Sequence, residues 1–170
     1  MKNKRIKNYI LAVLAVFFLV LLDQYTKYLA VLNLKGKDPF VILKNIFQLE
    51  YLENSGAAFG ILQNQRIFFY LCAILIICLV AYFYYKVPME KKFLPLRICG
   101  VFLLSGALGN LIDRARLNYV VDFFYFKLID FPVFNVADIY VTLSAFALIL
   151  LIGFYYKETD FDRIFSRSSK

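Results

Sequence analysis

The stretch IFFYLCAILIICLVAYFYY (residues 67–85) carries no charged side chain and is bracketed by Arg66 and Lys86. At a rise of about 1.5 Å per residue, a helix of that length crosses a hydrocarbon core about 30 Å thick. Three further runs have the same character. Residues 9–32 are interrupted only by Asp23, Gln24, Thr26 and Lys27, residues 93–112 carry only Arg97, and residues 139–156 carry no charge before Lys157. The composition agrees, with 62% hydrophobic and 19% charged residues, against roughly 45–50% and 25% in soluble domains. The fold class is therefore an all-α polytopic membrane protein with four transmembrane helices, forming one membrane-embedded domain over residues 1–170.

Four crossings put both termini on one side. Lys2, Lys4, Arg5 and Lys7, then Lys86, Lys91 and Lys92, then Lys157, Arg163, Arg167 and Lys170 share that side, and basic connectors mark the cytoplasm. Segments 33–66 and 113–138, which hold most of the acids, are extracytoplasmic. The basic start would also suit a cleaved secretory signal, but the apolar run leads into Asp23-Gln24-Tyr25-Thr26-Lys27 instead of a small-x-small site, so a retained signal anchor is expected. The net charge of +8 sits at the chain ends and one connector, which argues against nucleic-acid binding. Histidine is absent, which removes His-ligated metals and every His-based triad or dyad. Cys72, Cys78 and Cys99 lie in apolar stretches without CxxC spacing and read as small hydrophobes.

Within the first outer segment, Phe47, Leu49 and Tyr51 alternate with Gln48 and Glu50, the period of a half-exposed strand. Asn54-Ser55-Gly56 reads as a turn. In the second, the apolar stretch 119–126 is too short to span and is expected at the membrane surface or against the helix ends.

The acids divide by whether a neighbour in sequence explains them. Asp23 and Lys27 stand four apart on one helical face and can neutralise each other. Asp113 adjoins Arg114 at a helix end, where each can reach the other or interfacial water. Asp38, before Pro39, and Asp130, in Ile129-Asp130-Phe131-Pro132, suit solvated turns. Asp122, inside Val120-Val121-Asp122-Phe123-Phe124, and Asp138, in Phe134-Asn135-Val136-Ala137-Asp138, have no basic neighbour. Each also has an ordinary explanation: Asp122 as a strand residue facing water, Asp138 as the third-position partner of an Asn135 N-cap. Two carboxylates close together in an apolar setting cannot both ionise cheaply, so one keeps its proton and the pair supplies an acid and a base. Gly106, Asn110 and Arg114, spaced by four, put a small gap, an amide and a guanidinium on one helix face, which also suits plain helix packing.

Five ordered segments resemble those of the lipoprotein signal peptidases (type II signal peptidases): Asp23 through Lys27, Asn54-Ser55-Gly56-Ala57-Ala58-Phe59, Gly106 through Arg114, Val120 through Phe123, and Phe134 through Asp138. One departure is Ser105-Gly106-Ala107, where a paired glycine is usual. The resemblance implies four helices with a small extracytoplasmic β-sheet and a mobile surface loop. It implies a multi-pass bacterial cytoplasmic-membrane aspartic endopeptidase, active at the outer leaflet, that cleaves diacylglyceryl-modified prolipoproteins just before the lipidated cysteine. Asp122 and Asp138 would be its catalytic pair, supported by Asp23, Lys27, Asn54, Gly56, Gly106, Asn110, Arg114 and Asn135. No metal or cofactor is implied; the implied partners are prolipoprotein signal peptides, membrane lipids and globomycin-like inhibitors, and the chain is expected to be a monomer. The alternatives are a small ion or solute transporter subunit, for which the acids lie too far from the bilayer midplane, and a non-catalytic assembly factor.

Overall fold

The computed structural model describes residues 2–56 and 65–165; Ala57, Ala58 and Phe59 of the second segment, and the basic residues Arg167 and Lys170, lie outside them. Helix α1 covers Lys2–Leu34, α2 Arg66–Lys86, α3 Leu94–Leu117 and α4 Val136–Leu150, the last continuing into a π-helical turn at Leu151–Tyr155. Each of the four contains a span long and apolar enough to cross a membrane. Helix α3 touches the other three. Outward-facing side chains along the spans are apolar and exposed, Phe18 at 63% and Leu143 at 63% among them. Such faces are at rest only in lipid, so the chain is a multi-pass membrane protein.

Local chemistry sets the helix ends. Val87, held extended before Pro88, ends α2, and Pro95 occupies the first turn of α3, where its missing N–H costs nothing. Asn118 closes α3 in the left-handed region at φ 71°, its N–H donating to the Arg114 carbonyl. Asn135 caps α4.

Helix α3 therefore runs past the expected end at residue 112, and Asp113 and Arg114 lie inside it and not in a loop. Helix α1 takes in residues on both sides of the expected 9–32, and α4 begins at Val136, ahead of the expected 139. A short helix α5, Glu158–Phe165, was not expected at all. Asp160 fixes it: its carboxylate accepts from the Lys157 N–H and from Lys92 Nζ at 2.5 and 2.6 Å.

At the opposite end of the bundle, strands β1 (Phe40–Leu43), β2 (Phe47–Asn54) and β3 (Val120–Tyr125) form an antiparallel sheet in the order β1-β2-β3. Stretch 119–126 is thus largely a strand. It packs on the end of α1, where Ala30, Leu34, Val121 and Phe123 form a buried cluster joined by Leu49 and Tyr51. The predicted alternation in β2 holds for that face, yet Gln48 on the other face is also buried. Strand β2 is central, so Gln48 lies between Val41 and Tyr125 on its two neighbours, and its amide donates to Glu50 Oε2 at 2.8 Å.

Helices α3 and α4 approach closely at Gly106, where an added Cβ would lie 2.5 Å from the Ala137 carbonyl oxygen and 2.6 Å from Val141 Cγ2. Intrinsic helix propensity favours alanine over glycine by about 1 kcal/mol, but overpacking against backbone costs about 1–3 kcal/mol. Gly106→Ala is expected to lower the thermal midpoint in detergent, whereas Gly153→Ala, with nothing within 4 Å, is expected to leave it unchanged or raise it. A higher midpoint for Gly106→Ala would contradict the close α3–α4 contact.

Candidate active site

Asp122 lies on β3 opposite Leu52 of β2 and is 1% exposed, which excludes a strand acid facing water. Asp138 sits on the first turn of α4. It does form the capping box, with Asp138 N donating to Asn135 Oδ1 at 3.0 Å and Asn135 N donating to Asp138 Oδ2 at 3.1 Å. The cap and the pairing coexist, because Asn135 also joins the two acids: its Nδ2 donates to Asp122 Oδ1 at 2.6 Å.

Two more amides complete the frame. Asn54 Nδ2 donates to Asp122 Oδ2 at 2.8 Å, and Asn110 Nδ2 donates to Asp138 Oδ1 at 2.8 Å. The orientation of each amide is dictated from its far side. Asn54 Oδ1 accepts from the Gly56 N–H at 2.9 Å, the turn expected there. Asn135 Oδ1 is taken by the Asp138 N–H, and Asn110 Oδ1 accepts from Lys27 Nζ at 3.0 Å and from Asn135 Nδ2 at 3.2 Å. With every carbonyl oxygen engaged by an N–H, only the NH₂ groups are left to face the carboxylates.

Lys27 anchors the inner part. Its ammonium, 3% exposed, lies 2.9 Å from Asp23 Oδ2 and 3.0 Å from Asp113 Oδ2. The expected Asp23–Lys27 pair is therefore present but shared. The reading of Asp113 is corrected: it is buried, paired with Lys27, and accepts from the Val121 N–H at 3.1 Å. Consecutive helical residues point about 100° apart, so within α3 Arg114 faces away from it. Arg114 instead donates to the Gly56 carbonyl at 3.2 Å and lies over the Phe69 ring.

A cavity of about 510 Å³ is lined by Asn54, Gly56, Asn110, Arg114, Asp122 and Asp138, with Phe69, Val133, Ile139 and Leu143 among its apolar walls. Gly106 does not line it and acts through the α3–α4 contact. Two further residues of the segments that resemble the family, Gln24 and Gly109, also serve the site. Gln24 Nε2 donates to Asp113 Oδ1 at 2.8 Å. At Gly109 an added Cβ would meet Asp23 Oδ2 at 2.5 Å. Their positions, beside Asp23 and one turn before Asp113, were the available signal.

A family profile described as signal peptidase (SPase) II matches residues 15–154. The chain belongs to the signal peptidase II family. It is 43% identical over 145 residues to the lipoprotein signal peptidase of Caldanaerobacter subterraneus subsp. tengcongensis, covering 85% of this chain and 97% of that protein. It is 39% identical over 145 residues to the lipoprotein signal peptidase of Clostridioides difficile, covering 85% and 96%. A bacterial membrane enzyme solved by the in meso method at 2.3 Å resolution superposes with a TM-score of 0.74 at 32% identity, covering 86% of this chain and 92% of that one. Family membership makes the chain a protease and leaves the transporter reading without support.

Burial raises the Asp122 pKa from its ordinary 3.8 to about 7, the Asp138 charge adding to the effect and the Asn54 and Asn135 amides opposing it. In the unfolded chain the group titrates near its ordinary value. Between about pH 4 and 7 the folded state therefore binds more protons, and Asp122 costs stability as pH rises. Asn at this position does not titrate. The stability of Asp122→Asn relative to the parent protein should thus increase across that window by on the order of 1–4 kcal/mol. Paired thermal melts in detergent at pH 4, 5.5 and 7 measure it, and a pH-independent difference would contradict the raised pKa.

Proposed function

We propose that this protein removes signal peptides from diacylglyceryl-modified prolipoproteins, cutting just before the lipidated cysteine, with Asp122 and Asp138 acting on one water. The observation that carries the reading is the convergence of both carboxylates, held through Asn135, on one largely apolar cavity. Burial and the Asp138 charge favour the proton on Asp122, which assigns the acid and the base.

Asp138 takes a proton from a water as its oxygen attacks the scissile carbonyl carbon. Asp122 gives its proton to the carbonyl oxygen, so no free oxyanion forms in a low-dielectric setting. The tetrahedral intermediate collapses when Asp138 returns its proton to the leaving amine and Asp122 regains one from the gem-diol. Histidine and metal are not needed for this cycle. The apolar walls at Phe69, Val133, Ile139 and Leu143 receive lipid chains, while Arg114 holds the Gly56 carbonyl and so positions the end of β2 at the cavity.

The proposed setting is the bacterial cytoplasmic membrane, with both termini and the 86–92 connector inside and the sheet outside. The support is the clustering of Arg5, Lys7, Lys86, Lys91, Lys92 and Lys157 at the end of the bundle remote from the sheet. The chain acts as a single membrane-embedded peptidase domain.

Purified protein in detergent should convert a synthetic diacylglyceryl prolipoprotein to a product that begins at the lipidated cysteine, as read by mass spectrometry. Asp122→Asn and Asp138→Asn should each lower turnover by about 10² to 10⁴-fold, and the double variant should be scarcely worse, because the two groups act as a unit. Substantial turnover by either well-folded single variant would overturn the assignment.

A further inference from the structure

A second concavity, of about 560 Å³, lies at the other end of the bundle between α1 and α3. Its polar lining is confined to one end: Asn8 near the start of α1, Tyr84 near the end of α2 and Arg97 near the start of α3. From there it runs along Leu11, Ala15, Phe18, Ile98 and Phe102. Leu11, Phe18 and Ile98 are 53%, 63% and 47% exposed, so the groove opens sideways, where lipid lies. The helical distance from Asn8 to Leu19 is about 16 Å at 1.5 Å per residue. One leaflet of hydrocarbon is about 15 Å deep. The groove therefore has the length of one acyl chain in one leaflet, with its polar end at headgroup depth.

The charge at that end is uncompensated. Arg97 is 7% exposed, and its Nη1 donates to the Pro88 and Glu90 carbonyls at 2.6 and 3.3 Å. Among the described residues no carboxylate lies within ion-pair distance of it, and its Nε and Nη2 have no hydrogen-bond acceptor. The nearest acid in sequence, Glu90, has its carboxylate on Arg163. Among the described residues Asn8 Nδ2 has only the Met89 sulfur at 3.7 Å, a weak acceptor that an anionic oxygen would readily replace. Arg97 is largely buried, yet its Nε and Nη2 are not fully enclosed; a largely buried guanidinium with open donors favours an anion, and a phosphodiester at the head of an acyl chain supplies both parts of the fit.

We infer that the α1–α3 groove is a binding site for one anionic glycerophospholipid, its phosphate on Arg97 with Asn8, and one acyl chain along Leu11, Ala15 and Phe18. The site is separate from the cavity that holds Asp122 and Asp138, and it does not rest on the protease reading.

Native mass spectrometry of the intact protein, released from detergent after incubation with palmitoyl-oleoyl phosphatidylglycerol or with phosphatidylcholine of the same chains, tests the site. One phosphatidylglycerol should be retained, with a preference of roughly fivefold over phosphatidylcholine, as expected for one arginine facing an anionic headgroup. Ala15→Phe fills the groove from an exposed helix position without touching a charge or a hydrogen bond, and should abolish that retention. Arg97→Gln should reduce the preference to parity. Equal retention of the two lipids by the parent protein, or undiminished phosphatidylglycerol retention by folded Ala15→Phe, would overturn the proposal. The Ala15 arm decides it whether or not the arginine variant folds.

Discussion

The ammonium of Lys27, closed off from solvent inside the bundle, is the constraint on which the rest of the site depends. Taking an ion that size out of water costs several kcal/mol, and the cost is met only if its partners are close and themselves satisfied. Asp23 comes from the same helix, while Asp113 and Asn110 come from α3. Each partner then reaches one element further. Asp23 Oδ1 accepts from the Ala137 N–H at the start of α4, and Asp113 Oδ2 accepts from the Val121 N–H of β3. Satisfying one cation thus fixes the relative placement of α1, α3, α4 and the sheet edge. Gly109 is required because any larger residue would occupy the space of the Asp23 carboxylate.

The same ammonium influences the two cavity aspartates without touching them. By engaging Asn110 Oδ1 it turns Asn110 Nδ2 toward Asp138, and the backbone N–H groups of Gly56 and Asp138 orient Asn54 and Asn135 in the same way. Both aspartates consequently accept from amide N–H groups, which at Asp122 opposes the burial that raises its pKa. The formal charges show how the conflict resolves. Lys27 and Arg114 face four acids, Asp23, Asp113, Asp122 and Asp138, and in this acid-rich surrounding the Asp138 charge acts together with burial in raising the Asp122 pKa.

Much of this was legible in the sequence because bilayers impose simple rules. Long apolar runs with few or no charges marked the four helices, and the lack of a basic neighbour singled out Asp122 and Asp138. Asn135 was recognisable as a cap because the asparagine-to-aspartate spacing is local. What failed was long-range. The adjacency of Asp113 and Arg114 suggested a surface pair, but adjacency on a helix separates side chains, and the real partner of Asp113 is 86 positions away at Lys27. The burial of Gln48 depends on two flanking strands that no pattern within β2 announces. Helix α5 is held by Lys92 from another connector, so its own short sequence gave too little signal.

A strand at the edge of a membrane bundle raises a question that the helices do not, because unpaired N–H and C=O groups are tolerated at that depth only when protein covers them. Strand β3 meets this from several directions. Its Val121 N–H is taken by Asp113, those of Phe123 and Phe124 by the Phe134 carbonyl, and β2 pairs along its edge. The Phe134 contact also sets the segment that leads directly into Asn135 and α4. Backbone satisfaction of β3 and delivery of Asp138 are therefore one structural event. The acid on the strand and the acid on the helix face one cavity because the strand's hydrogen bonds cannot be completed unless the start of α4 lies beside it.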